Sequence, residues 1–115
     1  MGERRTHVRY IVWFPVTLTA GDAQVGTICR DASSGGLLVS SPALLDPQLS
    51  VSCSFRLSMD ASDDFSTPGR VLRADPNADD LGLVFPYRLA IAFEPPRPDI
   101  EELLRHAETR LRQAR

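Results

Sequence analysis

Two arginines four residues apart, Arg5 and Arg9, and the small-residue stretch Asp31-Ala32-Ser33-Ser34-Gly35-Gly36 carry most of the chemistry this chain can offer. A guanidinium is a planar fork that donates two hydrogen bonds together, to O6 and N7 of guanine or to a pair of phosphate oxygens. Its flat face can also stack on a purine. The carboxylate of Asp31 can accept from the N1–H and N2–H2 edge of guanine, which lysine or serine alone could not do. Ser33 adds a hydroxyl, and Gly35 and Gly36 permit positive φ and let a ligand approach the backbone. Together the two segments contain the parts of a clamp for guanine and phosphate. Alone, each has a plainer reading, a solvated terminus and a hairpin turn. Their order is more specific: the arginine pair directly precedes a strand-like run, and the turn follows about twenty residues later, after a second one.

Other chemistries find little support. Cys29 and Cys53 make neither a disulfide framework nor a zinc site, and both sit in strand-like runs where a thiol behaves as a small apolar residue. His7 and His106 are too few and too far apart for a metal, and no Ser/His/Asp or Cys/His arrangement offers a nucleophile. No catalytic residue, metal or cofactor is therefore expected. Asp63 and Asp64 read as solvated loop carboxylates. The net charge is −2, and all 13 basic side chains other than histidine are arginine. Arg4, Arg5 and Arg9 cluster at one end, while Asp60, Asp63, Asp64, Asp79 and Asp80 offset them elsewhere. Focused charge of this kind suits a small dianion better than a nucleic-acid polymer, whose binding relies on many cations. A single-strand binder would also need exposed aromatic platforms, whereas Trp13, Phe14 and Phe55 lie in strand runs and are expected in the core.

The elements that must position these residues are mostly strands. At 115 residues and 43% apolar content, one domain with a substantial core is expected. Strand-like runs fall at Arg9–Thr19, Gln24–Arg30, Gly36–Ser40, Leu49–Ser58, Thr67–Asp75 and Arg88–Phe93. Turn signals separate them at Ala20-Gly21-Asp22 and at Asp75-Pro76-Asn77, Ala43–Pro47 could form a single turn, and Leu81–Pro86 fits a short strand or a packed loop. Pro95-Pro96-Arg97-Pro98 is a stiff connector. Asp99 then reads as an N-cap with Glu102 completing a capping box, before an apolar stripe of Ile100, Leu103, Leu104, Ala107 and Leu111. The fold class is all-β with a terminal helix: six antiparallel strands in a small barrel, closed by the C-terminal helix. No run is long enough to span a membrane and no signal core follows the N-terminus, so a cytoplasmic location is expected.

Arg5 and Arg9, then Asp31, Ser33 and Gly36, complete the pattern RxxxR…[D/N]xSxxG, in which the chain resembles the PilZ domain, the bacterial receptor module for cyclic di-GMP. The segments Gly36–Ser40, Gly69–Arg73 and Tyr87–Phe93 resemble PilZ strands in PilZ order, so the likeness covers about residues 3 to 112. Ala90 departs from a common glycine in the last strand, and the acidic 60–64 and 75–80 segments look like local elaborations. The resemblance implies one PilZ domain over residues 1–115, with an arginine segment at 1–9, a barrel at 10–94 and a helix at 99–113. It also implies that Arg5 and Arg9 grip guanine Hoogsteen edges and phosphates, Asp31 a Watson–Crick edge and Ser33 a phosphate or base, with Gly36 shaping the turn. Arg4, just before the motif, goes with a stacked pair of ligand molecules. The segment Met1–His7 is expected to order round the nucleotide, and a chain without an output domain would act as an adaptor signalling to a partner protein. The alternative is a PilZ-like interaction module that does not bind the nucleotide.

Overall fold

Alternating apolar and polar side chains build the wall of a barrel. The structure, a computed structural model, describes residues 8–57, 64–78 and 84–113. Arg4, Arg5, the expected ordering of Met1–His7, and Asp60, Asp63, Asp79 and Asp80 all lie outside the described residues. The strands are β1 (Tyr10–Ala20), β2 (Ala23–Ser33), β3 (Gly36–Ser41), β4 (Ser50–Arg56), β5 (Asp64–Pro76) and β6 (Tyr87–Phe93). They close into a barrel in the order β1-β2-β3-β6-β5-β4, every neighbouring pair antiparallel. The expected architecture is therefore present, with strand ends at most three residues from where the sequence suggests. Inward side chains such as Val12, Val16, Leu18, Val39, Val71 and Leu89 are almost wholly buried. Phe55 sits at the centre of an aromatic group, with ring centroids 5.4 Å from Phe14, 5.5 Å from Phe65 and 6.2 Å from Phe93.

Two glycines fix connections for different reasons. Gly21 adopts φ +62° in the two-residue turn between β1 and β2, where Ala20 pairs with Ala23. Gly36 opens β3 without a positive φ; its need is steric, since a Cβ there would lie 2.0 Å from the Ile91 carbonyl oxygen of β6. The conformational freedom that glycine permits is not used at Gly36; its missing side chain is. Pro68 is tolerated inside β5 because its carbonyl accepts from the Glu94 N–H (2.9 Å). Its missing N–H points to the same side, beyond the end of β6 at Phe93.

The helix packs beside the first half of β1. β4 pairs with β1 from Val16 to Thr19, and among the described residues no strand flanks the first half of β1 on that side. α1 (Glu101–Gln113), entered through one 3-10 turn at Pro98–Ile100, packs there with Ile100 and Leu104 fully buried and Leu103 and Ala107 half-buried. Glu108 Oε2 accepts the Ile11 backbone N–H (2.7 Å), and Tyr10 donates its hydroxyl to Glu101 (3.0 Å). Arg110 donates to the Leu57 carbonyl just beyond β4 (3.0 Å). Side chains of the helix thereby supply backbone partners that a neighbouring strand otherwise would.

Local chemistry differs from the sequence expectation at several points. Asp99 lies inside the 3-10 turn, whose cap position is Arg97, and its carboxylate takes the Arg97 guanidinium at 2.9 and 2.7 Å instead of a helix N–H; that ion pair holds Asp99 below the usual carboxylate range. Asp64 is no free loop carboxylate; it begins β5 and pairs with Arg56 across the ladder, which lowers its pKa. β5 runs straight through the expected turn as far as Pro76. Asn77 then leaves the strand buried, donating to Ser40 Oγ (3.3 Å) and the Phe85 carbonyl (2.9 Å) and accepting from Arg88 (3.1 Å). Val84, Phe85 and Pro86 form loop rather than strand, and Ala43 lies in a bend, with the turn following at Pro47-Gln48.

Gly36→Ala is expected to destabilise the fold by about 2–3 kcal/mol, because the clash is with backbone and cannot relax by rotamer change. Gly26→Ala, whose added methyl meets nothing within 4 Å, should change urea stability by about 0.5 kcal/mol or less. Equal effects in the two variants would contradict the close approach of β3 and β6. Burial pushes the Cys53 thiol from 9.0 up to about 12 and the Cys29 thiol higher still. Since the thiolate is the reactive form, neither cysteine should react with a disulfide reagent at mildly alkaline pH until the protein is unfolded. Stoichiometric labelling of the native protein would count against the barrel interior described here.

Candidate functional site

The outer face of β1 and β2 brings the two sequence segments together. Tyr10, Val12 and Phe14 point inward on β1, so Arg9, Ile11 and Trp13 stand outward. Ile11 pairs with Asp31 across the ladder. Arg9, just ahead of β1, reaches over and donates to Asp31 Oδ1 through Nε (2.8 Å) and also through Nη2. Residues 22 apart in sequence thus form one ion pair, with the Arg9 side chain 33% and the Asp31 side chain 19% exposed. Asp31 faces outward although Cys29 and Ala32 on either side both point into the core.

A bulge makes this possible. Cys29 pairs with Val39 of β3 and Asp31 with Leu38, so Arg30 is one residue too many on β2. The β1 ladder shifts register at the same level, between Ile11 and Phe14. An extra residue re-aims its neighbours, and both Arg30 and Asp31 emerge on the outer face. The Arg30 guanidinium lies over the Trp13 ring, its central carbon 4.2 Å from the ring centroid. Trp13 is 51% exposed. The expectation that it serves the core is incorrect, because its parity on β1 is opposite to that of Val12 and Phe14. Phe14 and Phe55 are buried as expected.

The turn is shorter than the sequence suggests. Asp31, Ala32 and Ser33 belong to β2, and Ser33 pairs with Gly36, leaving only Ser34 and Gly35 as the connection. Ser33 is buried and its Oγ accepts the Gly35 N–H (3.0 Å), so the hydroxyl shapes the turn from inside. In this geometry it is not presented to a ligand. The turn's carbonyls face the C-terminal connector: Phe93 N–H donates to Gly35 O (2.9 Å) and Arg97 N–H to Ser34 O (2.6 Å). Ala90, on the outer face between Leu38 and Arg73, is half-exposed, so its extra methyl meets no core constraint.

The structure therefore joins Arg9 with Asp31, puts Ser33 and Gly36 behind them as structural supports, and adds Trp13 and Arg30, which sequence reasoning missed. The signal for the latter was a failed alternation, since Cys29 and Ala32 cannot both face inward on a regular strand. The arrangement offers two guanidinium forks, one carboxylate and an aromatic plane on one open surface. Among the described residues, no group of His, Cys, Asp and Glu could hold a metal ion, and no helix is long and apolar enough to cross a membrane.

Comparison with solved structures shows the same barrel elsewhere. The PilZ domain of YcgR from Escherichia coli, a structure with cyclic di-GMP, aligns with a TM-score of 0.69 at 17% identity over 97% of this chain and 94% of that one. The Bacillus subtilis inhibitor of motility, MotI/DgrA, aligns with a TM-score of 0.72 at 18% identity over 98% of this chain. This chain spans about half of that protein, 54% of its length. No curated protein sequence matches. The sequence model of the PilZ domain, by contrast, matches residues 3–108, and with nearly the whole length accounted for, this chain belongs to the PilZ domain family.

Proposed function

We propose that this chain is a cyclic di-GMP receptor that acts as an adaptor, not an enzyme, and signals its occupancy to a partner protein. The observation that carries this reading is the Arg9–Asp31 pair, which sets the second motif arginine against the motif carboxylate on an open strand surface. Family membership and the cyclic di-GMP complex of the YcgR domain support it. In this reading Asp31 accepts from the Watson–Crick edge of one guanine. Arg9, exchanged from Asp31, and Arg5 take Hoogsteen edges and ring phosphates, and Arg4 extends the cationic segment towards a second ligand molecule. Ser33 and Gly36 act indirectly, by holding the turn and the β3–β6 approach that place Asp31. In this reading the barrel and its helix work together as one PilZ domain, in the cytoplasm.

Transmission to a partner has a physical route. Tyr10 and Ile11, the residues directly after Arg9, hold Glu101 and Glu108 of α1. The Ser34 and Gly35 carbonyls hold the connector that leads into that helix. A ligand that repositions Arg9 and the turn thus acts on both anchors of α1, and its differential affinity for the two helix positions is what shifts the population.

Isothermal titration with cyclic di-GMP tests the receptor directly. Wild type should give saturable heat, and Arg5→Ala, Arg9→Ala and Asp31→Ala should each weaken binding at least about tenfold, as expected for loss of charge-assisted hydrogen bonds of about 1.5–3 kcal/mol. Thermal melts should show the variants folded. Absence of heat with wild type at high micromolar nucleotide would overturn the proposal in favour of a protein-interaction module.

A further inference from the structure

We infer that Trp13 and Arg30 form a stacking platform for the second purine of the bound dinucleotide, the base that Asp31 does not hold; this rests on the receptor reading above. Trp13 is an indole set outward on a strand whose alternate residues are core, and half of its surface is open. Tryptophan is enriched at interfaces, where its large planar surface meets a partner. One face of the ring is already covered by the Arg30 guanidinium at 4.2 Å. That contact holds a flexible cation beside the indole, two planar groups on which a purine can stack, one of them a fork suited to the O6 and N7 edge of guanine.

Position relative to the Arg9–Asp31 pair gives the platform its meaning. Ile11 lies opposite Asp31, and Trp13 is the next outward residue on β1, roughly 6–7 Å along the strand. Arg30 is adjacent to Asp31 in sequence and shares its face because of the bulge. One dinucleotide can therefore place one base at Asp31 and the other over Trp13 and Arg30. On its helix side the indole borders a groove of about 270 Å³ lined also by Leu57, Ala107 and Arg110, so room remains beside the ring. Arg9 and Arg30 flank Asp31 on this strip and bring two planar donor forks to where the phosphates of the dinucleotide would lie.

Trp13 is the sole tryptophan of the chain, so its fluorescence reports on this surface alone. Addition of cyclic di-GMP should quench or shift the emission saturably, with the same midpoint as the calorimetric curve. Trp13→Ala and Arg30→Met should each weaken calorimetric binding about tenfold, the scale of one base–aromatic stack, while Trp13→Phe keeps most of it. Trp13 is not among the buried core residues, so Trp13→Ala should melt close to wild type, and a thermal melt of the variant separates loss of binding from unfolding. Undiminished binding by Trp13→Ala, with wild-type emission indifferent to saturating ligand, would overturn the platform and leave the receptor intact. Absence of heat with wild type would overturn both.

Discussion

Cys29 and Ala32 both face the barrel interior, two residues separate them, and a strand of period two leaves room for only one. The bulge at Arg30 resolves the conflict and turns Arg30 and Asp31 outward together. Every other feature of the candidate site follows from this local break. Asp31 comes opposite Ile11 and within reach of Arg9, and Arg30 comes over Trp13. A regular strand would have sent one of the two charges into the core, where an unpaired charge is strongly disfavoured. The bulge and the polarity of the pair therefore enforce each other.

Behind that face the barrel acts as a rigid mount. Gly36 lets β3 lie tight against β6, and the Ser33 hydroxyl closes the connection from within. The same connection grips the chain leaving β6 through the Ser34 and Gly35 carbonyls, and that chain becomes α1. The helix returns to β1 one residue beyond Arg9. Arg9 thus adjoins the residues that hold α1, and the turn holds the chain that leads into it, so the candidate site borders both attachments of the helix.

Legibility in the sequence followed the strength of the local pattern. Val51, Cys53, Phe55 and Leu57 alternate cleanly and stand buried, and Gly21 marks its turn unmistakably. The apolar stripe from Ile100 to Ala107 likewise announced α1. Residues whose roles depend on tertiary partners were misread. Asp99 satisfies every local criterion for a cap, yet a neighbouring guanidinium offers its carboxylate a stronger, bidentate partner than a backbone N–H does. Trp13 looks like core by type, but parity outranks type on a strand. Ser33 is legible as a motif position and not as a structural one, since its partner comes from the fold of the turn itself; Gly36 is legible as shaping the turn, but its close approach to β6 is not.

The Arg9–Asp31 pair also shows why such a site can be both formed and responsive. Both side chains retain solvent contact, and ion pairs of that kind contribute about 0–1 kcal/mol. Opening the pair therefore costs little, while the contact keeps both groups oriented at the bulge. A guanine edge presenting two N–H donors to the carboxylate replaces one charge-assisted contact with another of comparable strength, and the displaced guanidinium becomes available to phosphate. In the proposed receptor the pair is thus a placeholder that the ligand exchanges rather than an obstacle it must remove. Because the two groups hold each other before the ligand arrives, single substitutions unpair the survivor as well as deleting a contact. The contribution of each to nucleotide affinity is then separable only when both are replaced in the same chain and the coupling between them is measured.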